Sequence, residues 1–136
     1  MKKIRVNKKN CSGCKLCIMN CSFSHFNVTS PHLSNVRIIG SETHAEFVPT
    51  LCHQCEGRFC IKSCPSDALA INEVTGAIQI DREKCNFCGQ CVGACPYHAI
   101  YISKNPAGED YLMICDLCGG DPQCAKYCRL AAIVYK

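Results

Sequence analysis

A chain of 136 residues is the size of one domain, and sixteen of its residues are cysteine, far above ordinary usage. The formal charge is +4, but lysines and arginines are scattered singly apart from "KKIRVNKK", so the basic stripe that a nucleic-acid backbone demands is missing. The opening "MKKIRVNKKNCSGC" has charges with no apolar run behind them, and "LMI" and "LAAIVY" are too short to cross a bilayer. The expectation is a soluble, cytoplasmic chain with no membrane span, where clustered thiols stay reduced and bind metal rather than form disulfides.

In chain order, the β-branched run "KIRV" precedes a first quartet, Cys11, Cys14, Cys17 and Cys21. The stretch from Phe23 to Thr50 carries Pro31, Gly40 and Pro49, and reads as a loop plus two strands, "VRII" and "AEFV". A second quartet follows, Cys52, Cys55, Cys60 and Cys64, and then "LAINEVTGAIQID", which predicts a β-hairpin turning at Gly76. The third quartet is Cys85, Cys88, Cys91 and Cys95; "AIYIS" and "YLMI" lead to the fourth, Cys115, Cys118, Cys124 and Cys128, and "AIVY" ends the chain. Between the third and fourth cysteines, as in "CVGAC", the spacing suits a short helix.

Each quartet begins C-x-x-C and ends C-x-x-x-C, an internal repeat. "PSDAL", "PYHAI" and "RLAAI" after the last cysteines place Ala68, Ala99 and Ala132 at one offset, while the first quartet departs with "SFSHF". Residues 85–96, "CNFCGQCVGACP", carry the bacterial ferredoxin signature, in which three cysteines hold one 4Fe-4S cube and the fourth ligates another. Crossing pairs the inner quartets as cluster C (Cys52, Cys55, Cys60 with Cys95) and cluster D (Cys85, Cys88, Cys91 with Cys64). Elimination leaves cluster A (Cys11, Cys14, Cys17 with Cys128) and cluster B (Cys115, Cys118, Cys124 with Cys21), four 4Fe-4S clusters in all. Bound as thiolate cubes of about −2 each, they would take the total charge to roughly −4.

Sixteen thiolates could instead hold four zinc ions in a structural interaction module. Zinc ribbons use isolated pairs, however, and explain neither the third cysteine nor the Cys-Pro endings. With every group of four filled by cysteine, His25 and His53 read as neighbours of ligands rather than ligands. Phe87, Tyr97, Tyr101 and Tyr127 read as shields against water. A cluster-based sensor would carry a DNA-binding element, and none is visible; nor is a phosphate loop, a Ser/His/Asp arrangement or a paired-carboxylate site.

Over nearly its whole length, in "CSGCKLCIMNCSFSHF", "NVRII", "LCHQCEGRFCIKSCPSDAL", "CNFCGQCVGACPYHAI" and "CDLCGGDPQCAKYCRLAAI", the sequence resembles the four-cluster ferredoxin-like subunits of molybdenum and tungsten pterin oxidoreductases, the dimethyl sulfoxide reductase iron–sulfur subunit type. "CSFSH" and "CDLCGGDPQC" look most like small partners of the tungsten aldehyde oxidoreductase family, with the related benzoyl-CoA reductase complexes. The resemblance implies an α+β polyferredoxin of two bacterial-ferredoxin-like modules, with short helices and β-hairpins: an inner module over about 50–103 and an outer one over about 1–49 plus 104–136. It implies a non-catalytic electron-transfer subunit of an anaerobic complex, linking a tungsten or molybdenum pterin catalytic subunit to a second redox protein or soluble carrier. A hydrogenase, carbon monoxide dehydrogenase or formate enzyme is the alternative partner. Arg129 stands where many family members have proline after the last cysteine, and the long insertions of larger relatives are lacking.

Overall fold

A computed structural model describes residues 2–41 and 46–136. Among these residues, eight strands form four separate antiparallel pairs, and four α-helices lie between them. β1 (Ile4–Val6) pairs with β8 (Ile133–Tyr135), so the two most distant segments of the chain are joined. Reciprocal bonds of 3.1 Å between the backbones of Lys3 and Lys136 extend that ladder. The other three pairs are local hairpins: β2 (Arg37–Ser41) with β3 (Glu46–Thr50), β4 (Leu69–Ile71) with β5 (Ile78–Ile80), and β6 (Tyr101–Lys104) with β7 (Asp110–Met113).

The strands fall where β-branched residues are densest, because such side chains suit a pleated, half-buried surface. "VRII" and "AEFV" predict the β2–β3 hairpin to within two residues, with Ala45 outside the described residues. In the β4–β5 hairpin, Asn72 Oδ1 accepts from Val74 and Thr75 amides at 2.8 and 3.1 Å, and Gly76 takes a left-handed φ of 75°. An Asx turn thus closes what "EVTG" predicted.

The helices are short, as the C-x-x-x-C spacing predicts: α2 (Phe59–Ser63), α3 (Gln90–Ala94) and α4 (Gln123–Lys126). The exception is α1, which runs from Leu16 to Phe26. Residues 23–26 are helical, not loop. The helix passes through Cys21 and ends at left-handed Asn27, whose amide donates to Phe23 O at 2.9 Å. Among the described residues, no helix is long and apolar enough to cross a membrane.

α1 packs on α4 and α2 on α3, so helices from the first and fourth quartets meet, as do those from the second and third. Two apolar clusters follow. One gathers Ile4, Ile18, Val36, Leu51, Leu117 and Ile133 with Cys17, Cys21, Cys115 and Cys124; the other gathers Leu69, Ile78, Ile100, Leu112 and Ile114 with Cys60 and Cys91. Cys52 packs against both. The β6–β7 hairpin spans the 103/104 boundary, and Leu112 of β7 joins the second cluster.

Ala68, Ala99 and Ala132 are all buried, at 3%, 2% and 1% exposure, so their shared offset marks an equivalent packing position. Leu51, fully buried beside Cys52, is the residue on which the first core turns toward the second. Leu51→Ala should destabilise the native protein by about 2–5 kcal/mol in denaturant unfolding, from lost burial plus a cavity. Val74→Ala, at an exposed turn, should stay within about 0.5 kcal/mol.

Candidate metal centres

Each C-x-x-C loop bends by the same device. The residue before the second cysteine is left-handed in all four quartets: Gly13 at φ 76°, Gln54 at 48°, Phe87 at 58° and Leu117 at 57°. Three of these are not glycine and carry strain of about 1–2 kcal/mol each. Asp67, His98 and Ala131, three residues after the fourth cysteines Cys64, Cys95 and Cys128, all adopt φ 54°. The repeat is therefore a backbone repeat, not only a spacing of thiols.

These bends turn sulfurs toward each other across quartets. Burial pushes the Cys17 thiol up to about 12, and the charges it feels are those of Cys11, Cys128 and Cys14. A cavity of about 220 Å³ is lined by those same four, with Leu16, Ile38, Pro49, Leu130 and Ile133 around them. Burial raises Cys52 to about 11 beside Cys60, Cys95 and Cys55, and these four line a cleft of about 20 Å³. Cys91, likewise raised to about 11 by burial, faces Cys85 and Cys64; with Cys88 they line a third cleft of about 20 Å³. Burial raises Cys124 beside Cys21 and Cys118, and also raises fully buried Cys115, which faces Cys124 and Cys21. Three clefts are thus each lined by three cysteines of one quartet and one of another, and Cys115, Cys118 and Cys124 lie near enough to Cys21 to feel its charge.

Contacts also run between groups. Cys124 feels the charge of Cys17, and Cys115 that of Cys52. Neutral thiols in such surroundings are stable only as S–H; four thiolates in one place require a cation among them. Backbone amides already point at sulfur: Asn35 N donates to Cys21 Sγ at 3.2 Å, Ala68 N to Cys64 at 3.3 Å, and Gln54 and Leu117 amides to Cys52 and Cys115 at 3.4 Å. At Cys64 burial is the largest single influence and acts upward, but the Ser66 hydroxyl and the amides of Ala68, Ser66 and Leu69 together outweigh it and hold the thiol below its usual range. The donor set fits thiolate-bound metal.

The histidines and aromatics take supporting places. His25 has both ring nitrogens engaged, Nε2 with Asp116 Oδ1 at 2.8 Å and Nδ1 with the Cys21 carbonyl at 2.8 Å. Asp116 also accepts from the Cys118 amide at 2.9 Å, so His25 ties the end of α1 to the fourth C-x-x-C loop. His53 lies edge-on to Tyr97 with ring centroids 4.8 Å apart, and burial lowers its proton affinity. Tyr97 and Phe87 line the clefts beside Cys95 and Cys88, while Tyr127 is half-exposed. Tyr101 does more than shield: its hydroxyl donates to Ser34 O, fixing the loop that delivers the Asn35 amide to Cys21, and Arg37 stacks on its ring at 4.7 Å. Asp116, Ser34 and Arg37 went unremarked in the sequence because each acts across 60 or more residues.

Small helices, antiparallel hairpins and grouped thiols define a ferredoxin-like iron–sulfur protein. Residues 43–136 match the family described as the 4Fe-4S dicluster domain, and the chain belongs to that family. It is 40% identical over 128 residues, 94% of this chain and 72% of the relative, to the polyferredoxin-like subunit of an aliphatic sulfonate oxidoreductase from Pyrococcus furiosus. It is 28% identical over 141 residues to the thiosulfate reductase electron transfer subunit PhsB of Salmonella typhi, covering 95% of this chain and 72% of that one. In fold it resembles a chain of the active-site complex BamBC of benzoyl coenzyme A reductase, with a TM-score of 0.57 at 24% identity, across 100% of this chain and 76% of the other.

Gly13 separates the two costs a loop glycine can avoid. A Cβ there would meet the Phe47 ring at 2.9 Å on top of its left-handed φ, whereas at Gly89, φ 79°, it would meet nothing within 4 Å. Gly89→Ala should cost about 1–2 kcal/mol in unfolding experiments on the metal-loaded protein, and Gly13→Ala about 2–5 kcal/mol with reduced iron content.

Proposed function

We propose that the chain holds four 4Fe-4S clusters, A to D, in the ligand sets given above, and serves as the electron-transfer subunit of an oxidoreductase complex rather than as its catalyst. The observation that supports this is that three clefts are each lined by three cysteines of one quartet and one of another. When bound, such clusters supply one-electron redox sites whose potentials depend on burial and hydrogen bonds to sulfur.

The chain's own residues do the rest. Cys17 beside Cys124, and Cys115 beside Cys52, support the order A, B, C, D along the molecule. Sets A and D then lie at the two ends, and each has one exposed cysteine, Cys14 and Cys88. Leu51, Leu117, Met113 and Ile78 keep water from the middle of the row, and the amides of Asn35, Gln54, Ala68 and Leu117 stabilise thiolate there. The outer module is zipped by β1–β8 and α1–α4, and the inner one is centred on α2–α3.

The relatives named above as subunits of sulfonate and thiosulfate enzymes favour a catalytic partner subunit. A tungsten or molybdenum pterin enzyme, with a second redox protein at the other end of the row, fits the four-quartet pattern. Folding depends on the metal. A two-stranded sheet is marginal alone, ten non-glycine residues sit at positive φ, and thiolate–metal bonds are what offset that strain.

Protein purified without oxygen should contain about sixteen iron atoms per chain, against about four zinc atoms for a zinc-held module, and chelation should unfold it. Cys64→Ser should perturb the site of Cys85, Cys88 and Cys91 in electron paramagnetic resonance while sparing that of Cys52, Cys55 and Cys60. Loss of the latter site instead would overturn the crossed assignment.

A further inference from the structure

Charge is distributed very unevenly along the chain. Residues 1–41 and 122–136 hold ten Lys and Arg and no Asp or Glu, while residues 42–121 hold five against eleven. Pairing of β1 with β8 brings the two acid-free arms together. Lys8 and Lys9 form the 3₁₀ turn that runs into Cys11, Lys15 follows Cys14, and Lys126 and Arg129 flank Cys128. All five are exposed. Lys15 and Arg129 line the rim of the apolar cavity around the set-A thiols, whose interior is Leu16, Ile38, Pro49, Leu130 and Ile133.

No other thiol set has this surrounding. Asp116 and Asp121 lie among the set-B cysteines, Glu56 follows Cys55, and Asp67, Asp81 and Glu83 accompany set D. Among the described residues, the ion pairs reaching the basic arms are Lys3–Glu56 at 3.9 Å, Lys126–Asp121 at 3.6 Å and His25–Asp116 at 2.8 Å. The strand that begins at Glu46 packs on the 8–10 turn. Lys8, Lys9, Lys15 and Arg129 are left without an ion-pair partner among the described residues.

We infer that the set-A end is a docking surface for a protein partner with a carboxylate-rich face around its own redox centre. This rests on the reading of set A as an end site. Encounters between redox proteins use small interfaces, so long-range charge rather than buried area sets their association. The apolar floor with exposed Cys14 and Leu130 beside it gives such a face a dry contact at the sulfur. Thiolates at the centre of the patch would repel a nucleic acid's phosphates, and no aromatic side chain lines the cavity to stack a base.

The test uses the whole iron-loaded chain and measures its dissociation constant for an acidic two-cluster ferredoxin, a basic cytochrome c and a single-stranded oligonucleotide. The acidic ferredoxin should bind best, and raising salt from about 50 to 500 mM should weaken it about tenfold or more. Lys8→Glu with Lys9→Glu should weaken that binding about tenfold, and the Lys→Gln pair should fall between. Iron content and the paramagnetic spectrum should stay unchanged, which separates failure of this proposal from failure of the cluster reading. Equal binding of the acidic ferredoxin by wild type and both variants, or preference for the oligonucleotide or the cytochrome, would overturn it.

Discussion

The structure depends on one constraint: sixteen thiols, most of them buried or half-buried, must be held as anions in one small protein. Burial drives Cys17, Cys52, Cys91 and Cys115 toward the neutral form, and each group of four repels itself. Only a multivalent cation among them makes the thiolate form stable, which is why the proposed clusters couple coordination to folding. The left-handed bends, the inward amides and the paucity of regular structure are consequences of wrapping short loops around such centres.

Sharing sets the architecture. In the proposed ligand sets every group draws its fourth thiol from another quartet, so no quartet closes a site alone and distant segments must be pinned together. β1–β8, α1–α4 and α2–α3 do that pinning. Buried Leu51, Leu117, Met113 and Ile78 contrast with exposed Cys14 and Cys88, which in the proposed role are the points nearest the two partners. The basic arms then make the ends unlike each other.

Much of this was readable from spacing and local chemistry. The four quartets, the short helices within three of them, the hairpin at Gly76 and the shared alanine offset all arise from interactions within about a dozen residues. What escaped notice was long-range. α1 extends past Cys21 because Ser22 Oγ donates to the Val28 carbonyl and accepts the Ser30 amide at 2.9 Å, locking the following loop back on the helix; Asn27 as a stop signal was visible in the sequence but unweighted. The His25–Asp116 tie and the Tyr101–Ser34 bond join residues 91 and 67 positions apart, and no local pattern marks either. The basic arms looked scattered along the chain and become a patch only when its two ends pair.

The central claim is that each metal site borrows one ligand from a distant quartet. Anomalous diffraction at the iron edge, on crystals grown without oxygen, tests it most directly. The account predicts four iron peaks in a row, each contacted by three sulfurs of one quartet and one of another, with Cys128 completing the first and Cys21 its neighbour. Iron or zinc enclosed by the four cysteines of a single quartet would contradict it.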